Sequence, residues 1–236
     1  MDSTGLFEAW RLTRSPHDHW GLAWFLANQF CRRFYSSHGI VPHVIERDGI
    51  GYYGITLSLV PCLVNGPQSK DLGRLTKRGD VENWRTGGPG DHGLATSALC
   101  RQGLSTDELV RQAIRHMDLP VLPAKSHVSC RHKRWGGSYV LVFEIATVIA
   151  LRCGEDVEIW NAPYHTADLI RQMDPHSAMP EHPGAFIFVC GEQKVIVSGD
   201  GRLLDGSGRN LWTEHMQGES TFKLALSIER LLRPTS

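Results

Sequence analysis

Hydrophobic positions in the first 60 residues predict a helix followed by a β-hairpin. Ser15-Pro16-His17-Asp18 has the residue types of a helix start, and Gly39 suits its end. Between them, apolar side chains recur every three or four positions, as on one helix face: Trp20, Trp24, Ala27, Phe30 and Phe34. The hairpin consists of residues 41–47, a turn at Asp48-Gly49, and a returning strand in which apolar Ile55, Leu57 and Leu59 alternate with polar residues.

The middle of the chain alternates between irregular and helical patterns. Residues 61–103 are rich in breakers, including Gly87-Gly88-Pro89-Gly90, and we expect a long irregular loop there. Ser105 with Glu108 three positions later forms a capping box, which predicts a helix to about His116. Pro120 and Pro123 prevent its continuation.

A second buried helix is predicted near 138–152. This stretch is apolar on every face and too long for a typical buried strand, so we interpret it as a central helix. Further elements follow in order: a strand at 157–160, a short helix at 166–173, a hairpin formed by 185–189 and 195–198, and a helix capped by Ser220. Hairpins with interspersed helices are typical of an α+β fold. We therefore predict two antiparallel hairpins packed with about five helices. We expect a single domain over 1–236, with a subdivision near 104–125 as the alternative.

Composition excludes several classes of function. Lys and Arg number 25 and Asp and Glu number 25, so no extended nucleic-acid surface is expected. The first residues lack the apolar run of a signal peptide, and the apolar stretch 139–151 is too short to span a bilayer. The six cysteines are scattered without a CxxC pair, which is typical of a reducing compartment. We expect a soluble cytoplasmic protein with no membrane contact and no cofactor.

A basic segment before the buried helix is the leading candidate site. Arg131, Lys133 and Arg134 precede Trp135 and the pair Gly136-Gly137. If the helix begins near Ser138, its first N–H groups and positive dipole end face these cations, which favours an anion. The glycines let a ligand approach the backbone. The hypothesis is a recognition module for a phosphate- or carboxylate-bearing ligand or partner, to which Asp91 and His92 of the glycine-rich loop could contribute.

The alternative hypothesis is an acyl-transfer hydrolase or transferase. Ser138 at a helix N-terminus would be the nucleophile, with Cys130 as the alternative to it. His182 before a strand would be the base, and Asp200 after the next strand the orienting acid. This order of elements resembles that of the transglutaminase-like and papain-like thiol enzymes, over at most residues 130–212. Ser138 stands where those families place cysteine. The resemblance implies nucleophilic acyl transfer.

Two further patterns remain with weaker implications. His127, Cys130 and His132 have the residue types of zinc ligands, but a fourth ligand is missing and adjacent cations oppose a metal, so no metal is expected. Glu144 interrupts the apolar helix, and burial of a carboxylate is costly unless it is paired or protonated. We expect either an ion pair, with Arg134 or Arg85, or a proton acceptor.

Overall fold

The protein has an α+β fold made of two compact units. The computed structural model describes residues 2–13, 20–38, 40–47, 52–59, 70–85, 93–124, 139–161, 185–198, 203–212, 216 and 219–233. The first unit comprises Thr4–Ser126, and the second comprises Met1–Ser3 together with His127–Ser236. The two units are defined by compactness alone. The single domain over residues 1–236 therefore stays a prediction.

The first unit is built on a five-stranded antiparallel sheet with strand order β1-β2-β3-β4-β5. Its strands are β1 (Ile40–Arg47), β2 (Tyr52–Leu59), β3 (Lys70–Thr76), β4 (Val81–Asn83) and β5 (Gly93–Leu94). Its helices are α1 (Ser3–Thr13), of which Ser3 falls in the second unit, α2 (Trp20–His38), α3 (Thr96–Arg101) and α4 (Thr106–His116).

Helix α2 forms the centre of the first unit's core. It packs on β1, β2, β3 and α4. The predicted apolar face is buried, and Phe7 of α1 stacks on Phe25 with ring centroids 3.9 Å apart. Ile55 and Leu75 are buried on the sheet. Burial of this many aromatic and aliphatic side chains is the main stabilising contribution to such a unit.

The predictions for the first 60 residues are confirmed in kind and corrected in detail. Helix α2 and the β1–β2 hairpin are present, whereas α1 was not predicted. The predicted helix start, residues 15–18, lies outside the described residues. Arg47 pairs with Tyr52 at the end of this hairpin, and the predicted turn residues Asp48 and Gly49 lie outside the described residues. Thr56 is buried, so the polar face of β2 is not solvent-exposed there.

The prediction of an irregular segment over 61–103 is wrong for its described part. Residues 70–85 form a hairpin of β3 and β4, and 93–101 contribute β5 and α3. The turn between β3 and β4 is closed by a hydrogen bond from Gly79 N–H to Thr76 O, and Gly79 has a φ of +84°. Gly79 is therefore a turn residue of a hairpin, because glycine adopts positive φ at little cost.

The second unit combines a four-stranded antiparallel sheet with two helices. Its helices are α5 (Tyr139–Cys153) and α6 (Thr221–Leu232), with a 3-10 turn at Gly154–Asp156. Its strands, in the order β6-β7-β8-β9, are β6 (Glu158–Asn161), β7 (Ala185–Cys190), β8 (Gln193–Ser198) and β9 (Leu203–Asp205). The central helix, the strand near 157–160, the second hairpin and the final helix are thereby confirmed. The helix predicted at 166–173 lies outside the described residues.

One face of this sheet packs against both helices. Phe143 of α5 meets Phe186 of β7 edge-to-face, with ring centroids 5.4 Å apart, and α6 packs on β7 and β8. Ser220 accepts a hydrogen bond from Lys223 N–H at 3.3 Å, as expected of the predicted cap. Across the described parts of the two units, no helix combines the length and apolarity needed to cross a membrane.

Candidate functional site

The sequence-predicted site residues all lie in segments that the structure does not describe. This applies to the basic segment with Arg131, Lys133, Arg134, Trp135, Gly136 and Gly137, to Asp91 and His92, to the set Ser138, His182 and Asp200, and to His127, Cys130 and His132. Their roles stay predictions. Among the residues that are described, no group of three or more His, Cys, Asp or Glu side chains could hold a metal ion.

A half-open cavity of about 220 Å³ in the first unit is a candidate site lined by described residues. One wall is α4, which follows a predicted start: Ser105 Oγ accepts a hydrogen bond from Glu108 N–H at 3.3 Å. A second wall is α2, and a third is the extended chain after α4. The lining residues are Arg33, Asp107, Val110, Arg111, Ile114, Val121, Leu122 and Pro123.

The periodicity of α4 explains why its cavity wall is both charged and apolar. Asp107 and Arg111 are four residues apart, as are Val110 and Ile114, so each pair lies along the helix on adjoining faces. The apolar pair is buried, whereas Asp107 and Arg111 are exposed. Val121 is 48% exposed and extends the apolar wall to the surface.

Arg33 is the half-buried cation of the cavity. Its Nε donates a hydrogen bond to Leu122 O at 3.0 Å, and its Nη1 donates to Gln29 O at 3.3 Å and to Gln29 Oε1. Burial lowers the pKa of Arg33 and the nearby Arg32 lowers it further, whereas Asp107 raises it. Desolvation and a second cation therefore both disfavour the positively charged form of this guanidinium.

Arg111 supplies the second positive charge of the cavity. Its Nη1 lies 3.4 Å from Glu108 Oε2, and Arg115, one turn further, lies 3.9 Å from the other oxygen of Glu108. Arg115 does not line the cavity. Among the described lining residues, Arg33 and Arg111 are the positive charges and Asp107 is the carboxylate, which gives this part of the lining a net charge of +1. Such a wall attracts an anion.

A buried ion pair on the sheet has a structural role. Arg74 Nη2 on β3 lies 2.7 Å from Glu82 Oε1 on β4, and Trp84 Nε1 donates to Glu82 Oε2 at 3.1 Å. The guanidinium carbon is 6.0 Å from the centroid of the Trp84 ring. Both carboxylate oxygens are thus occupied by donors of the same hairpin, so this cluster holds β3 and β4 together.

Glu144 of the second unit has a partner that the sequence analysis did not predict. The residue is 1% exposed, and its Oε1 and Oε2 accept hydrogen bonds from Ser3 N–H at 2.9 Å and Ser3 Oγ at 2.8 Å. Ser3 was not among the expected partners, Arg134 and Arg85. The carboxylate therefore satisfies an N–H at a helix start and a buried hydroxyl together.

A buried thiol lies where α5, α6 and the 3-10 turn end. Burial raises the pKa of Cys153 to about 11, and Glu229 adds to the increase through its charge and a hydrogen bond, against the opposing effect of Arg233 and Arg152. Arg152 Nε is 2.7 Å from Glu229 Oε2, and Arg233 Nη2 is 2.8 Å from Asp156 Oδ2. This environment keeps the Cys153 thiol protonated and unreactive at neutral pH.

We expect the Cys153 thiol to make the protein less stable in alkali. Because its pKa rises from 9.0 to about 11 on folding, the stabilisation is complete below pH 9 and is lost as the pH rises from 9 to about 11. The expected loss is about 1–2 kcal/mol, which is less than the full rise in the pKa of Cys153 implies, because its charged neighbours are partly exposed. Denaturant unfolding of wild type and Cys153→Ser across this range measures it. Parallel pH profiles for the two proteins would contradict the assignment.

The cavity residues were missed at the level of sequence. Arg33 follows Arg32 in a helix whose apolar face is clear, and a pair of arginines there is ordinary for a solvated face. Asp107 was interpreted only as part of a helix start. The i, i+4 pairing of charged residues beside an apolar pair on α4 was a visible signal.

Comparison of the chain with protein-family models, with curated proteins and with solved structures gives no match.

Proposed function

We propose that this protein is a recognition protein that binds a small anionic ligand in the cavity between α2 and α4. The observation that carries the proposal is that Arg33 of α2 and Arg111 of α4 line the same cavity, whose described lining has a net charge of +1. Anion recognition is also the function that the basic segment 131–138 favours, and that segment remains a second location for it. The acyl-transfer alternative stays a prediction, tested by labelling Ser138 with an acylating probe.

The electrostatics of Arg33 support binding of an anion. Burial and Arg32 both lower the pKa of Arg33, and Asp107 acts in the opposite direction. An anion beside the guanidinium would offset the cost of desolvating it, because opposite charges attract more strongly where water is partly excluded. Arginine is suited to this role since its planar donors match the oxygens of a carboxylate or phosphate.

A soluble, cytoplasmic setting is part of the proposal. It rests on the reduced state of cysteines in both units: Cys100, Cys153 and Cys190 carry no disulfide. Unpaired thiols are typical of reducing compartments. A small metabolite or the acidic end of a protein chain would be accessible there, and the cavity's volume of about 220 Å³ favours the small molecule.

Replacing Arg111 with Gln is expected to weaken anion binding about tenfold. The loss of one charged hydrogen-bonding partner corresponds to about 1.5 kcal/mol or more, and 1.4 kcal/mol is a factor of ten in Kd. Isothermal titration with acetate, butyrate and inorganic phosphate measures it on the full chain. We expect the variant to be folded, because Arg111 is 51% exposed and its ion pair with Glu108 lies at the surface. Thermal unfolding checks this.

The matched control is Arg115→Gln. Arg115 lies on the same helix, contacts the same Glu108 and is 64% exposed, but it does not line the cavity. We expect its affinities to equal those of wild type. Equal weakening by both variants, or no detectable anion binding by wild type at the cavity, would overturn the proposal. Binding that is lost instead in Lys133→Ala and Arg134→Ala would move the site to the basic segment.

A further inference from the structure

The composition of the cavity wall restricts the ligand further. We propose that the anion is an aliphatic monocarboxylate, which has a single carboxylate on a hydrocarbon chain of several carbons. This inference rests on the proposed function. The carboxylate would face Arg33 and Arg111, and the chain would lie against the apolar wall formed by Val110, Ile114, Val121, Leu122 and Pro123.

The charge of the wall favours one negative charge over two. Arg33 and Arg111 attract the anion, and Asp107 repels it, so a monoanion neutralises the wall whereas a phosphate dianion leaves an excess negative charge next to Asp107. A phosphate group carries a charge of about −1.5 to −2 at pH 7. Electrostatic complementarity therefore selects the carboxylate.

The apolar residues select the other end of the ligand. Among the lining residues that the structure describes, five of eight are aliphatic. Val110 and Ile114 are buried, so the apolar surface that a ligand can contact comes mainly from Val121, Leu122 and Pro123. Inorganic phosphate or acetate would leave these side chains in contact with water. The cavity's volume of about 220 Å³ is several times the share of about 30 Å³ that one water molecule takes in the liquid. A hydrocarbon chain fills this space with dispersion contacts.

The test is a homologous series of straight-chain carboxylates from acetate to octanoate, titrated into the full chain. Affinity is expected to rise about fourfold for each added methylene until the cavity is filled, because a buried CH₂ contributes about 0.8 kcal/mol and 1.4 kcal/mol is tenfold. Hexylamine and hexanamide, which have the chain without the negative charge, are expected to bind at least tenfold more weakly than hexanoate.

Val121→Ser tests the apolar wall without disturbing the core. Val121 lines the cavity and is 48% exposed, so its replacement is expected to leave the fold intact. Hexanoate should bind about fourfold more weakly to this variant while acetate binds unchanged, since the lost contact is with the chain. Leu12→Ser is the matched control, because Leu12 is an 88% exposed apolar residue of the same unit outside the cavity.

The outcomes separate this inference from the proposed function. If phosphate and acetate bind through Arg111 but affinity does not increase with chain length, the monocarboxylate is wrong and the anion site stands. If hexylamine or hexanamide binds as tightly as hexanoate, or if Val121→Ser and Leu12→Ser behave alike, the inference is overturned. If no anion in the series binds, both proposals fail together.

Discussion

Replacing Gly73 with Ala is expected to destabilise the first unit by about 3 kcal/mol or more, the upper part of the range for overpacking. A Cβ atom at this position of β3 would lie 2.0 Å from the backbone oxygen of Glu82 and 2.9 Å from Met117 Cε. The Met117 side chain can move, but the Glu82 carbonyl belongs to β4, where Arg74 pairs with Glu82. Relief of the clash requires separation of the two strands. Denaturant unfolding followed by circular dichroism measures the loss.

Gly93→Ala provides the comparison within the same sheet. A Cβ atom on Gly93 of β5 would meet only Val81 O, at 3.8 Å, which is an ordinary contact. We expect its free energy of unfolding to lie within about 0.5 kcal/mol of wild type, as for exposed positions without a special role. A similar loss in both variants would show that any side chain on these strands is disruptive, and the close approach at Gly73 would not be the cause.

Elements with a complete local pattern could be predicted from the sequence. Helix α4 has its cap at Ser105 and its proline stop, and α5 has a long apolar run in which Glu144 is the only charged residue before Arg152, so both follow from residues close in the chain. The hairpin of β7 and β8 follows from alternation around Gly191, which has a φ of +57° in the turn. In these segments local preference and tertiary packing agree.

Strands β3 and β4 could not be predicted because their stabilising contacts are tertiary. Arg74 and Glu82 look like solvated residues in the sequence, yet they pair across the two strands and are almost fully buried. Gly73 looks like a breaker, although it provides the close strand approach. Charged residues and glycine are depleted from strands on average, so the β-propensity of this segment does not indicate a hairpin. The hairpin is stabilised instead by the pairing of side chains across its strands.

The cavity escaped prediction for a related reason. Arg33 becomes a candidate ligand-binding residue only in the folded protein. There α2 packs against α4, so that Arg33 lines the same cavity as Asp107 and Arg111. Nothing in the local pattern around Arg33 encodes this juxtaposition. The basic segment 131–138 attracted attention because its cations are adjacent in the sequence. Cations that are neighbours in the sequence are easily recognised. Arg33 and Arg111 are far apart in the sequence, and only the folded structure brings them to one cavity.

Replacing Glu144 with Ala is expected to destabilise the second unit by about 3 kcal/mol. The substitution leaves Ser3 N–H and the Ser3 hydroxyl without their acceptors in a site where both residues are fully buried, and it opens a cavity in α5. Removal of one member of a buried polar pair costs more than the pair contributes, because the remaining group is desolvated without compensation. Thermal and denaturant unfolding of the full chain measure the loss.

A double-mutant cycle with Ser3→Ala identifies the contact responsible. Ser3→Ala removes the hydroxyl contact and keeps the backbone N–H contact. If the hydroxyl contact contributes, Glu144→Ala in the Ser3→Ala background should cost about 1 kcal/mol less than in wild type. Glu192→Ala, an exposed carboxylate in the turn between β7 and β8, controls for removal of a negative charge and should change stability by less than about 0.5 kcal/mol. Strict additivity of Ser3→Ala and Glu144→Ala would contradict a contribution from the hydroxyl. Glu144→Leu refills the space but accepts no hydrogen bond, so full recovery of stability in that variant would show that the cavity in α5 is the cause.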